Sequence, residues 1–202
     1  MSLLPNCFIE YFLPIQTPGD GNCMWHMVSR SLCGNCSLTN LLKDMTVITF
    51  FMLEQKFIEI MTIDIRANNK DANEIQLREQ ATQRFHRAVQ VAKTPGEWGD
   101  EYHLLALTTF LATKISIYNF YHPNFSKNEL LSSFRDSENN KSGFHLIYTP
   151  LNGTIFSSFK NELMIYGYYD PQNKHYTSLV PQKADNIYGP ITTNLFVDFF
   201  KN

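Results

Sequence analysis

The spacing of the apolar residues changes near position 112, and that change restricts the chain to folds in which helices and a sheet share one core. Upstream, apolar side chains recur every three or four positions. Downstream, Lys114-Ile115-Ser116-Ile117-Tyr118-Asn119-Phe120 alternates with period two, as a strand does. Helices in the first half and strands in the second predict an α+β, or mixed α/β, class. No internal repeat or low-complexity segment interrupts the pattern. With 202 residues, 44% of them hydrophobic, one substantial core is expected, hence a single domain over residues 1–202.

The helical half divides at its turn signals. Met24, Met27, Val28 and Leu32 recur at helical spacing, and Gly34 follows as a terminator would. Thr39 or Asn40 is placed to cap the next helix. Residues 40–66 then predict one long helix, broken once. Asn68-Asn69-Lys70-Asp71 reads as a linker. Residues 72–92, rich in Glu, Gln, Arg and Ala, predict an exposed helix that ends before Thr94-Pro95-Gly96. Glu97-Trp98-Gly99-Asp100-Glu101 opens a last helical pattern through Leu111, with acids in its first turn. Beyond Phe120, residues 122–142 read as a surface loop. Strands are expected at Phe144–Tyr148, Thr154–Phe159, Met164–Tyr168 and Tyr176–Val180.

Composition excludes some classes of partner. A net charge of −2 and a pI near 6.3, with no concentrated basic stretch, argue against nucleic acid. The longest apolar run, Met45 to Leu53, is too short to span a bilayer, so no membrane role is expected. The first residues lack a basic region and a small-residue cleavage site. They predict a cytoplasmic protein, with the nucleus also open to it. Four cysteines are too few for a disulfide scaffold and read as free thiols.

One of those cysteines is set up for chemistry. Pro18-Gly19-Asp20-Gly21-Asn22-Cys23 is a glycine-rich turn that delivers a thiol to the first turn of a helix. Unpartnered N–H groups at a helix start carry partial positive charge, which predicts a lowered thiol pKa at Cys23. The turn at Gly21 and Asn22 leaves further N–H groups free to hold an oxyanion. A cysteine nucleophile needs a histidine base and an orienting partner for it. His175 follows the turn Asp170-Pro171-Gln172-Asn173 and begins an apolar strand; His145, in another strand pattern, is its rival. His86 and His103 fall in helices and His122 in a loop. His26, one turn past Cys23, is close to the thiol along the same helix. Cys33-Gly34-Asn35-Cys36 has C-x-x-C spacing, but it follows a helix instead of starting one, and the only nearby candidates for a second ligand pair are Cys23 and His26. Neither a redox pair nor a metal site is expected.

Taken in order, Asp20-Gly21-Asn22-Cys23 with Trp25, then Glu97-Trp98-Gly99-Asp100-Glu101 leading through a Leu-rich helix into a strand, then His175-Tyr176, resemble the ovarian tumour (OTU) family of cysteine deubiquitinases. The resemblance spans roughly residues 15–181. It implies a papain-type fold with a central sheet packed between helical regions, and Asp20, Cys23 and His175 as active-site residues. The implied activity is thiol hydrolysis of the isopeptide bond after ubiquitin's C-terminal glycine, with no cofactor and no metal. The implied partners are ubiquitin, polyubiquitin chains and ubiquitin-like modifiers. Trp98 and Gly99, flanked by Glu97 and Tyr176, would wall the channel for the substrate tail, and Glu97, Asp100 and Glu101 would complement that tail's basic charge. Two positions after the histidine, where many members carry Asn or Asp, this chain has Thr177. The residue that orients the imidazole is therefore open among Thr177, Asn173 and an N-terminal acid such as Glu10. The same departure supports the alternative of a silent OTU-like domain that binds ubiquitin or another protein without cutting it.

Overall fold

The computed structural model describes residues 12–69, 71–120, 143–151, 164–170 and 173–182. The strand expected at Thr154–Phe159, the loop at 122–142, His122 and Glu10 lie outside them. The described elements are β1 (Phe12–Ile15), α1 (Cys23–Cys33), α2 (Thr39–Met52), α3 (Glu54–Asn68), α4 (Glu74–Lys93), α5 (Glu101–Leu111), β2 (Lys114–Phe120), β3 (Gly143–Tyr148), β4 (Met164–Asp170) and β5 (His175–Pro181). The class is α+β, as the change of period predicts.

The strands form one mixed sheet in the order β1-β5-β4-β2-β3, in which β2 and β4 run parallel and the other neighbours antiparallel. Alternation along β2 sends Ile115 and Ile117 to one face, where they join Ile165 and Tyr176 beneath α1. The opposite face carries Tyr118 and Tyr166, with Phe12 of β1 stacked on both at 5.9 and 5.1 Å. Gly167 lets α1 lie close on β4, because a Cβ there would stand 2.1 Å from Met27 Sδ.

The long helix expected over 40–66 is two helices, broken at Leu53, whose backbone (φ −123°, ψ 25°) leaves the helical region. Gly34 closes α1 in the left-handed conformation at φ 79°, its N–H bonded to Arg30 O. Thr39 does not cap α2; it is the first helical residue, and its hydroxyl is bonded elsewhere.

The expectation of an exposed helix over 72–92 needs correction. One face of α4 is fully buried, through Leu77, Ala81, Phe85, Ala88, Val89 and Ala92. Its small residues admit close packing on α3, so few large apolar side chains are required. Asn73 and Gln76 start α4 with a reciprocal capping box. The helices α2 to α5 thereby enclose a second core in which Phe50 stands edge-on to Phe57 at 4.8 Å and to Phe85 at 5.9 Å. Trp25, wholly buried, joins this core to the sheet through an edge contact with His103 at 5.6 Å. Phe85→Ala is expected to lower stability by about 3–5 kcal/mol, as removal of a central aromatic does, which chemical denaturation of the purified variant will measure. Among the described residues, no helix is long and apolar enough to cross a membrane.

Candidate active site

Cys23 is the first residue of α1 and is 2% exposed, with its thiol against the start of β5. The direction of its pKa is opposite to the sequence expectation: burial pushes the thiol up, as does the nearby charge of Asp20. The backbone N–H groups of Tyr176, Met24 and Cys23 pull the other way without prevailing. The helix-start effect is present but smaller than desolvation.

The loop ahead of Cys23 is shaped by backbone contact. Gly21 has φ 85°, and a Cβ there would lie 1.8 Å from Gly96 O, so two loops far apart in sequence meet backbone to backbone. Asp20 bends back on its own loop and accepts from Asn22 N at 2.9 Å. Both of its carboxylate oxygens stand 3.0 Å from His26 Nε2. His26 Nδ1 is 2.7 Å from Thr39 Oγ1, whose hydroxyl proton is given to Cys36 O. The imidazole thus bridges the Asp20 carboxylate on one side and the Thr39 hydroxyl on the other. Burial raises the Asp20 pKa, but the His26 and Asn22 hydrogen bonds outweigh it and hold the carboxyl below its ordinary value. Asp20 and His26 thus fix the loop; His26 does not turn toward the thiol.

His175 opens β5, after a turn in which Asp170 accepts from Asn173 N at 3.3 Å and Asn173 Nδ2 at 2.7 Å. The hydroxyl that reaches the imidazole belongs to Thr17, whose Oγ1 is 3.1 Å from His175 Nε2. Thr17 also donates to Tyr176 O. Its single proton is thereby committed, so it accepts from Nε2–H and leaves Nδ1 as the basic nitrogen of the neutral ring. Thr177 shares a strand face with His175, but it lies buried opposite Tyr168, and Asn173 is held in the turn. Neither is found on the ring. Thr17 is there because β1 pairs antiparallel with β5, Ile15 opposite Ser178, so the chain leaving β1 passes beside Tyr176.

The other histidines are placed elsewhere. His145 sits on β3 opposite Tyr118, with β2 and β4 between it and β5. His103 is 1% exposed and donates through Nε2 to Ala88 O at 2.9 Å, and His86 is exposed on α4. Cys33 turns its thiol to Ser29 O at 3.2 Å.

The model of OTU-like cysteine proteases matches residues 18–176. The chain belongs to that family. Solved OTU domains share its architecture. The OTU domain of OTUD1 aligns at TM-score 0.53 and 16% identity over 84% of this chain and 85% of that one. The viral OTU protease of Farallon virus aligns at 0.54 and 12% over 87% of each chain. The Hazara virus OTU, solved bound to ubiquitin, aligns at 0.52 and 14% over 88% of this chain and 86% of that one. No curated protein matches in sequence.

In this OTU domain the block from Glu97 to Glu101 is divided between structure and surface. Asp100 caps α5 by accepting from Tyr102 N at 3.0 Å, and Glu101 pairs with Arg84 at 3.2 Å. Gly99 packs on Met24 and Trp25. Glu97 and Trp98 are exposed, and with Arg84, Arg87, Val91 and Lys174 they line a cleft of about 460 Å³ on the side where His175 begins β5. Tyr176 is buried against Cys23, beneath the site and not along an open channel.

Proposed function

We propose that this OTU domain is a thiol isopeptidase that releases ubiquitin, singly or from chains, from lysine side chains. The observation that carries the reading is the hydrogen bond from His175 Nε2–H to Thr17 Oγ1, made one residue before Tyr176, whose backbone N–H acts on the buried thiol of Cys23. It supplies a cysteine nucleophile with an oriented base, the pair that thiol hydrolysis requires. In this reading His175 Nδ1 takes the Cys23 proton, and the thiolate attacks the carbonyl of ubiquitin's terminal glycine. The N–H groups at the start of α1 receive the oxyanion. His175 then protonates the departing lysine amine, and water hydrolyses the thioester. The ubiquitin carried by the Hazara virus OTU supports this choice of substrate, and free thiols suit the reducing cytoplasm.

A neutral hydroxyl stabilises an imidazolium less than a carboxylate does, so the contribution of Thr17 is moderate. Thr17→Val is expected to lower kcat on a fluorogenic ubiquitin substrate about tenfold, the value of one neutral hydrogen bond. Thr177→Val is expected to keep nearly full activity. Wild-type turnover in Thr17→Val together with a loss in Thr177→Val would move the orienting role to Thr177. Absence of turnover in the wild-type protein would favour the silent ubiquitin-binding alternative.

A further inference from the structure

Asn22 is the N-cap of α1, yet its side chain makes no capping bond to the helix it precedes. An N-cap asparagine ordinarily accepts from the second or third helical N–H. Here Asn22 Oδ1 accepts instead from Lys43 Nζ at 2.8 Å and from Gly96 N at 3.4 Å. Lys43 reaches it from the middle of α2, is 6% exposed, also donates to Thr94 O at 2.8 Å, and lies over the Trp25 ring at 4.6 Å. An ammonium so placed is costly, and desolvation by burial lowers its pKa despite the charges of Asp20 and Glu97. The N–H groups of Cys23 and Met24 meanwhile face the Cys23 thiol, and the Asn22 side chain takes no bond from the start of α1.

We propose that Lys43 is a positioning residue that holds the Asn22 side chain off the start of α1, keeping the first N–H groups of that helix free for the Cys23 thiolate and the oxyanion. This rests on the isopeptidase reading. Without Lys43, the Asn22 carbonyl swings back to cap its own helix and occupies the donors that catalysis uses. The arrangement trades helix capping for open donors, a local sacrifice of stability at a site of chemistry.

The test is a double-mutant cycle on the full chain with a fluorogenic ubiquitin substrate. Lys43→Met is expected to lower kcat about thirtyfold with KM little changed, and Asn22→Gly, which removes the competing acceptor, about threefold. The double variant should recover to the level of Asn22→Gly alone, with the thermal midpoint of Lys43→Met no lower than that of wild type. A merely structural lysine would give a lower midpoint and a double variant worse than either single one. Lys43→Gln, which still offers Asn22 an N–H, should stay within about threefold of wild type.

Wild-type kcat in Lys43→Met, a loss that Asn22→Gly deepens, or failure of both Lys43 variants to fold would overturn the proposal. Iodoacetamide alkylation of Cys23, followed by the mass of its peptide, needs no ubiquitin. If wild-type protein hydrolyses no ubiquitin substrate, the isopeptidase reading fails, and this rate still decides the role of Lys43. Lys43→Met should slow alkylation about fivefold at pH 8 and added Asn22→Gly restore it; an unchanged rate would refute it.

Discussion

Cys23→Ala is expected to abolish hydrolysis of ubiquitin substrates, lowering kcat by at least about 10⁴-fold, because loss of the nucleophile removes the covalent route. The fold should persist. The change deletes one sulfur at a site that is 2% exposed, a small cavity costing about 1 kcal/mol. Because the thiol is the reacting atom and Tyr176 and Met24 pack around it unchanged, binding of ubiquitin should be retained. Residual turnover near the wild-type rate, measured on protein shown by mass to carry alanine, would place the nucleophile elsewhere.

His175→Ala is expected to be almost as damaging, about 10³-fold or more in kcat, since nucleophile and base act as a unit. His145→Ala, three strands across the sheet, should leave kcat near wild type. The pH dependence gives a second reading of the same pair. Burial raises the Cys23 pKa, so a thiol deprived of its base is mostly protonated at neutral pH. Alkylation of Cys23 in His175→Ala should therefore be slow at pH 7 and rise only as the pH passes above the ordinary thiol value near about 8.5. Wild-type protein should react faster than His175→Ala at pH 7, because His175 can take the thiol proton. Reversal of the two histidine variants would identify His145 as the base.

The parts of this site that were legible in the sequence are those fixed by local chemistry. Glycines around Asp20 demand a turn, helical spacing begins at Cys23, and the Asp170 to Asn173 turn delivers His175 to a strand start. Thr17 was not legible, because β1 is a four-residue edge strand containing Pro14 and its contact with His175 crosses 158 positions. Lys43 was hidden for a different reason. In an amphipathic reading a lysine belongs on the wet face, and only the assembled loops show that its ammonium is turned inward onto Asn22. The buried face of α4 was missed because alanines at 81, 88 and 92 carry little hydropathy yet allow close helix packing. The rise in the Cys23 pKa is likewise tertiary: the helix start is visible in sequence, whereas the desolvation that outweighs it is not.

The central claim is that Cys23 and His175 form a working pair directed at ubiquitin. A ubiquitin probe with an electrophilic C-terminus tests it most directly. The account predicts a single adduct of one ubiquitin on the peptide containing Cys23, absent in Cys23→Ala and greatly slowed in His175→Ala. No adduct on folded protein whose Cys23 still alkylates, or an adduct on Cys7, Cys33 or Cys36 instead, would contradict it.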